Sequence, residues 1–251
     1  MEKILINAPE FDAVTAYGIG GLAVLMTAIS VIVYSQSNRR RLLILITGSF
    51  LWLGVTAIAA LSGLLSNPDV LPPPFVVMMV SMLAVAFSLG FSSFGKSVAA
   101  NTSFFVLVAL QSFRLPLEFV MHHAFEKKIM PIQLSYSGYN FDVITGLGAL
   151  ILLIILKLKP QAPKSIIWIW NVWGIYCLIV IAVVAVTGSP IVRGFGSKPE
   201  NLNTWVLFFP YVWLPTVLVV LAIFGHIIIT RKLLQDSSRE NSRNQNEAQF
   251  S

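Results

Sequence analysis

The sequence predicts an all-α fold, a polytopic membrane helix bundle with seven transmembrane helices. Charged residues make up only 11% of the 251 residues and hydrophobic residues 56%, whereas charged residues form about a quarter of a soluble domain. The mean hydropathy of +0.79 also indicates a membrane protein. Several uncharged apolar runs are long enough to cross a hydrocarbon core about 30 Å thick. The lipid bilayer is therefore the first partner that the composition predicts.

Each predicted helix is an apolar run bounded by charged or proline-rich connections. Three arginines (39–41) follow the first run, three prolines (72–74) precede the third, and Lys157 ends the fifth. Pro210 and Pro215 should kink the last helix, because proline lacks an amide hydrogen. The predicted spans are Val14–Tyr34, Leu42–Leu65, Phe75–Phe94, Val98–Phe125 after a turn at 95–97, Asp142–Leu156, Ser165–Thr187 and Trp205–Thr230.

The lysines and arginines predict the orientation of the bundle. Eleven lie in alternate connections starting with the first and in the tail: Arg39, Arg40, Arg41, Lys96, Lys157, Lys159, Lys164, Arg231, Lys232, Arg239 and Arg243. Five lie on the opposite side: Lys3, Lys127, Lys128, Arg193 and Lys198. The larger set is expected in the cytoplasm, which places the N-terminus outside and the C-terminus inside. The net charge of +6 thus reflects topology rather than nucleic-acid binding.

The chain is predicted to have one transmembrane domain, residues 1–234, and a cytoplasmic tail, residues 235–251. The tail is rich in Ser, Asn, Gln and Glu and has little apolar surface to bury. Such a composition is typical of disorder. We therefore expect a disordered tail.

The fourth apolar run carries unexpected polar residues. In an ideal helix Gln111, Arg114, Glu118 and His122 fall within an arc of about 80°. Arg114 and Glu118 are four residues apart, so their side chains can pair. Pro116 should leave the Ser112 carbonyl without its helical partner, close to the arginine.

This polar stripe (Gln111, Arg114, Glu118 and His122) has two interpretations. A charge at mid-bilayer costs about 3 kcal/mol on insertion scales, and such residues often mark functional sites. Arg114 could then bind an anionic group, or Glu118 could carry a proton. Alternatively the Arg114–Glu118 pair neutralises itself and holds helices together, because buried ion pairs can be purely structural. The sequence leaves both open.

Three further polar residues complete the candidate site. Asn140 and Asp142 begin the fifth helix, where Asn and Asp commonly cap helix N-termini. Asp142 could also face the polar stripe from that helix. Asn171, between tryptophans in the sixth helix, is typical of an interhelical hydrogen-bonding residue and is a candidate ligand contact.

Little in the sequence points to catalysis or a cofactor. His122 and His123 are predicted near the outer end of the fourth helix and His226 near the inner end of the seventh, so they should not share a metal or haem. The single cysteine, Cys177, lies inside an apolar run. No lysine lies within a predicted span, which excludes a retinal Schiff base. No HExxH pattern or serine–histidine–acid arrangement occurs. We expect no cofactor and no metal, and the enzyme interpretation has thin support.

The chain resembles a family of uncharacterised bacterial multi-pass membrane proteins over about two thirds of its length, from the three prolines onward. The residues that carry the resemblance are Phe113-Arg114 with Glu118, Pro131, Gly138-x-Asn140-Phe141-Asp142 with Gly146, Trp170-Asn171 with Gly174, Phe209-Pro210 with Pro215, and His226. The sequence departs from the family at Tyr139 and Phe75, near which the family commonly has arginines. The resemblance implies a bacterial inner membrane and no particular activity.

Two functional hypotheses follow. In the first, the polar intramembrane site opens to the outside and handles a small solute, an anion or a proton. In the second, the protein is a non-catalytic accessory or scaffold protein that binds a membrane-protein partner, and its buried Arg–Glu pair is structural. An enzyme acting on lipid would need a nucleophile and a base that the sequence does not show.

Overall fold

The computed structural model describes residues 6–67 and 69–249, and that part of the chain is helical, without strands. Lys3 of the orientation count and residues 250–251 of the predicted tail lie outside the described residues. The helices are α1 (Ala13–Ser35), α2 (Arg39–Leu61), α3 (Pro74–Phe91), α4 (Ser93–Asn101), α5 (Phe104–Ala109), α6 (Arg114–Glu126), α7 (Asp142–Leu158), α8 (Lys164–Thr187) and α9 (Val220–Gln249).

Six helical segments of the described chain are long and apolar enough to cross a membrane. They are Ala13–Ser35, Arg39–Leu61, Pro74–Phe91, Phe104–Glu126, Lys164–Thr187 and Leu214–Ser238. The predicted fifth span corresponds to α7, which has only 17 residues. These six apolar helices are those of a multi-pass membrane protein.

Helices α1 and α2 match the first two predicted spans. The Asp12 side chain caps α1 by accepting the Thr15 amide at 2.8 Å, and the Asn38 side chain caps α2 by accepting the Arg41 amide at 2.9 Å. Gln36 connects the two helices with a left-handed backbone, φ 52°. Polar caps therefore set these boundaries.

The predicted fourth span is interrupted, which corrects the single helix expected over Val98–Phe125. Residues 95–97, predicted as a turn, lie inside α4, and the turn occurs at Ser92, whose hydroxyl accepts the Gly95 amide at 3.2 Å. A second break precedes α5, where the Ser103 hydroxyl accepts the Val106 amide at 3.3 Å. Short polar side chains thus offer the backbone an alternative to the helical ladder.

A third break separates α5 from α6 and corrects the expectation of an unpaired Ser112 carbonyl. Residues 110–113 form a turn in which the Arg114 amide donates to the Gln111 carbonyl at 3.3 Å. The Leu115 amide donates to the Ser112 carbonyl at 3.1 Å. The tighter turn uses the acceptor that Pro116 leaves open.

The last span begins later than predicted. Two short 3₁₀ segments and turns precede a π-helix at Leu214–Val219, which continues as α9. Trp52 of α2 donates to the Thr216 carbonyl at 2.7 Å, and Trp213 donates to the Leu53 carbonyl at 3.2 Å. As expected of a proline-interrupted helix, the neighbouring Trp52 side chain satisfies a backbone carbonyl next to Pro215.

Helix α9 extends to Gln249 and includes most of the tail predicted from residue 235 onward. Neither glycine nor proline interrupts residues 226–249. The turns that follow the membrane segment need no new nucleation. The polar residues after the membrane segment therefore extend the existing helix.

Helix α9 lies at the centre of the bundle. It packs against α3, α4 and α8, while α6 packs against α1 and α7. Helix α2 lies at the periphery, with exposed side chains such as Phe50 and Ile58. The core is formed mainly between α9 and the helices around it, and the candidate site lies within it.

Candidate functional site

Arg114 forms a buried ion pair with Asp142, which joins the start of α6 to the start of α7. Its Nε donates to Asp142 Oδ2 at 3.0 Å, and its Nη2 donates to Asp142 Oδ1. Arg114 is only 1% exposed. The intrahelical Arg114–Glu118 pair expected from the spacing is thus replaced by a pair between helices, because Asp142 offers two oxygens to the flat guanidinium.

The guanidinium also contacts His226 of α9, with 2.6 Å between Arg114 Nη1 and His226 Nε2. A guanidinium has donors only, so Nε2 accepts and the neutral ring carries its hydrogen on Nδ1. That nitrogen donates to Asn171 Oδ1 at 2.8 Å. Asn171 Nδ2 in turn donates to the Thr230 hydroxyl at 2.8 Å. We call Arg114, Asp142, His226 and Asn171 the clamp, because they connect α6, α7, α8 and α9.

Glu118 lies one helical turn from Arg114 and is paired with Asn140 instead. Asn140 Nδ2 is 2.9 Å from both carboxyl oxygens of Glu118 and 3.1 Å from the Leu134 carbonyl. Asn140 Oδ1 accepts the Asp142 amide at 3.0 Å. Asn140 thus accepts the first backbone amide of α7 from the position before its N-cap, Phe141, while the Asp142 side chain pairs with Arg114. Both Glu118 and Asn140 are 2% exposed.

The chain before α7 explains why that helix is short. Arg114 lies near the middle of the segment Phe104–Glu126, and its partner Asp142 is the first residue of α7. Leu134 and Asn140 of the preceding connection are buried. Irregular backbone at the depth of Arg114 in the membrane is tolerated where protein surrounds it or where it lines a cavity.

A cavity of about 100 Å³ lies against these residues. Its polar wall consists of Arg114, Glu118, Asn140, Asp142 and Asn203. The remaining lining is apolar and comes chiefly from α3, α8 and the π-helix with the start of α9: Met79, Met82, Leu83, Leu178, Ile181, Ala182, Ala185, Leu218, Val219, Ala222 and Ile223. The cavity therefore has one polar side and an otherwise hydrocarbon surface.

Asn203, which was not predicted from the sequence, lines this cavity and has an unsatisfied acceptor. Its Nδ2 donates to the Ala185 carbonyl at 3.3 Å, which fixes the amide orientation because a carbonyl can only accept. Its Oδ1 is buried and has no hydrogen-bond partner among the described residues. A buried unpaired acceptor is costly and calls for an explanation.

Two residues of the predicted stripe lie away from this cavity. Gln111 is buried in the turn before α6, with its amide packed against Gly225. His122 lies beyond Glu118 on α6, where its Nδ1 is 2.9 Å from the Ser135 hydroxyl and its ring stacks on Tyr136. The structure thus brings Arg114, Glu118, Asn140, Asp142 and Asn171 together, and leaves Gln111 and His122 outside.

His226 is the principal site residue that sequence reasoning missed. It was placed near the inner end of its helix because Arg231 follows closely. It lies midway along Leu214–Ser238. Arg231 does not mark the end of this segment, because its guanidinium donates to the Ser92 carbonyl at 2.9 Å. Gly174 was the available signal: a Cβ there would lie 2.2 Å from His226 Cε1. Only glycine leaves room for the ring.

The described residues do not suggest a metal centre. No group of three or more His, Cys, Asp or Glu side chains within residues 6–67 and 69–249 could hold a metal ion. The polar groups that surround the cavity are instead suited to hydrogen bonding and to proton exchange.

A protein-family model matches about two thirds of the chain. Residues 71–234 match the model of a family described as a domain of unknown function (DUF8737). The match begins at the prolines before α3, includes the whole clamp and Glu118, and confirms the resemblance to an uncharacterised family. No curated protein and no solved structure matches the chain.

Proposed function

Because the chain belongs to this DUF8737 family, whose function is unknown, we propose a function from the site itself. The protein is a membrane protein whose Glu118 carboxyl exchanges a proton while a small solute occupies the adjoining cavity. The clamp holds the helices around this cavity. Glu118, Asn140 and Asn203 form its binding surface.

The charge balance around Glu118 carries this proposal. Arg114 supplies one positive charge, and its contact with His226 requires a neutral imidazole. The Asp142 carboxylate neutralises the arginine charge through a bidentate ion pair. An ionised Glu118 would then leave a buried net negative charge, which costs several kcal/mol. A proton, or a cation that replaces it, removes that cost.

Asn140 adapts Glu118 to this exchange. Its single amide nitrogen lies at 2.9 Å from both carboxyl oxygens, so it supports the carboxylate without supplying a charge. An arginine or lysine in the same place would fix Glu118 in the ionised form. The neutral partner leaves the carboxyl able to bind and release its proton. The arginine is therefore assigned to the clamp rather than to an anionic ligand.

The proposed setting is a bacterial plasma membrane with seven crossings. The six apolar helices support six of them, and α7 with the buried connection before it forms the seventh. The excess of lysine and arginine on one side supports an external N-terminus and a cytoplasmic C-terminus. The cavity then opens toward the outer half of the bundle. Labelling of single introduced cysteines from each side in a Cys177→Ala background tests this topology.

A proton titration tests the proposed exchange. The purified protein is titrated in lightly buffered detergent over the pH range in which it remains folded, and proton release is compared with that of Glu118→Gln. We expect the wild-type protein to release one more proton per chain. Glu126→Gln is the matched control, because that carboxyl lies exposed at the end of the same helix. Equal release from the wild type and Glu118→Gln, after correction by this control, contradicts the proposal.

A second candidate is an accessory or scaffold protein. It is supported by α2, which buries the smallest share of its apolar segment, 6%, among the six candidate spans. Its partner would be an apolar transmembrane helix that covers Phe50 and Ile58. Paired polar substitutions at these positions should then abolish co-purification of that partner, whereas Glu118→Gln should leave it unchanged.

A further inference from the structure

The shape and chemistry of the cavity identify the class of molecule that it binds. We propose that it is a site for a small aliphatic amine in its ammonium form, whose nitrogen lies at Glu118 and Asn203 and whose hydrocarbon part lies between α3 and α8. This inference rests on the proposed proton exchange at Glu118 and names its solute. The sequence suggested a small solute, an anion or a proton, and the amine is proposed here in place of the anion.

The polar wall contains acceptors that the protein donors do not fill. Three of the five N–H groups of Arg114 are engaged by Asp142 and His226. The Asn140 amide is directed to Glu118 and to the Leu134 carbonyl. Two of the five Arg114 N–H groups are not engaged by Asp142 and His226. Two kinds of acceptor are also left: Asn203 Oδ1, without a partner in the described part of the chain, and the two Glu118 oxygens, which share one donor. A ligand that fills these acceptors must donate hydrogen bonds.

The charges of the side chains around the cavity also favour an ammonium ligand. A carboxylate or phosphate would add negative charge beside Glu118 and Asp142, where no further positive side chain lines the cavity. An ammonium supplies three donors and one positive charge. Its binding with loss of the Glu118 proton leaves the total charge of the site unchanged. One proton is released to solvent for each ammonium bound, and an ammonium–carboxylate pair forms.

The volume of the cavity sets the size of the ligand. Helices α3 and α8 both pack on α9 but hardly on each other within the described chain. Met82 and Leu178, which line the cavity from these two helices, are buried, while Leu83 and Ile181 are partly exposed. An apolar cavity of roughly 150 Å³ accommodates benzene. A cavity of about 100 Å³ therefore suits an amine of about four or five non-hydrogen atoms.

Binding of n-butylammonium to the full chain in lipid nanodiscs, followed by ligand-observed NMR, tests this inference. Butyrate and n-butanol are the comparison probes, because they share the hydrocarbon chain and differ in charge. We expect butylammonium to bind at least tenfold more tightly than butyrate and to release a proton on binding. Glu118→Gln should abolish that release, while Glu126→Gln should leave it unchanged. Butyrate binding as tightly as butylammonium overturns the inference.

Asn203 supplies an independent test. Asn203→Ala should weaken butylammonium binding about tenfold, as expected for a lost hydrogen bond to a charged group. Asn201→Ala, two residues away in the same connection, is the control and should have no effect. Asn203→Ser keeps a hydroxyl oxygen as an acceptor and serves if the alanine variant does not fold. Butylammonium binding that neither Asn203 variant changes reflects lipid partitioning and overturns the inference.

The two proposals fail in distinguishable ways. If Glu118 exchanges a proton in the absence of amine but butylammonium does not bind, the amine site is wrong and the proposed function stands. If no Glu118-dependent proton is released, the proposed function is wrong. The amine site, which rests on that exchange, is then wrong as well.

Discussion

Arg114 and His226 lie in contact, with 2.6 Å between Nη1 and Nε2, although 112 residues separate them in the chain. The contact joins α6 to α9 and determines the hydrogen position on the imidazole. Asn171 then accepts from Nδ1 and donates to Thr230. A single orientation of each side chain therefore satisfies the whole series of hydrogen bonds.

Replacing Asn171 should destabilise the protein by removing one member of this series. Asn171→Ala leaves the buried Nδ1 hydrogen of His226 without its acceptor, which costs roughly 1–3 kcal/mol. Cys177 is buried and is the only cysteine, so a thiol-reactive fluorophore reports unfolding directly. The apparent Tm should fall in Asn171→Ala. Asn101→Ala, an exposed asparagine at the end of α4, should leave it nearly unchanged.

Gly174 should be intolerant of any side chain. A Cβ would lie 2.2 Å from His226 Cε1 and 2.5 Å from its Nε2, the nitrogen that accepts from Arg114. Because the ring must shift, Gly174→Ala should cost about 1–3 kcal/mol and lower the Tm in the same assay. Gly48→Ala on α2 meets nothing within 4 Å and should be neutral or stabilising. Equal effects of the two substitutions would contradict the proposed close packing.

A double-mutant cycle distinguishes the observed ion pair from the one that the sequence suggested. Arg114→Met leaves Asp142 buried and unpaired, at a cost of roughly 3–5 kcal/mol. Asp142→Asn in the same chain should recover much of that loss, since the isolated charge is removed. Combining Arg114→Met with Glu118→Gln should recover less, because Glu118 bonds to Asn140. Denaturation in detergent measures both coupling energies, and a larger Glu118 coupling would refute the Asp142 pairing.

The overall class of fold could be predicted because hydropathy responds to the bilayer, whatever the packing inside. The breaks around α5 could not, since Ser103 and Pro116 act on a local backbone geometry that an apolar run conceals. Helical periodicity therefore placed Gln111 and Glu118 on one continuous stripe. In the structure a turn separates them.

The members of the site were easier to predict than their partners. Charged residues in apolar runs are rare, which identified Arg114, Glu118 and Asp142. Which carboxyl pairs with the arginine depends on how closely α7 approaches α6. Gly146 permits that approach, because a Cβ there would lie 2.5 Å from the Leu115 backbone nitrogen. Spacing along one helix carries no information about this distance.

Acid should weaken the start of α1 through Asp12. The Thr15 hydroxyl and then the Thr15 amide donate to this carboxylate and, with a smaller effect from His123, lower the pKa of Asp12. A lowered folded-state pKa gives stabilisation that is complete above the unfolded value of about 4 and is lost as the pH falls through the folded value. Asp12→Asn still caps the helix but cannot titrate. Circular dichroism melting between about pH 6 and pH 3 should show a smaller acid-dependent decrease in Tm for Asp12→Asn than for the wild type. Glu10→Gln, in the same segment before α1, should behave as the wild type. An identical decrease in all three proteins would contradict this role of Asp12.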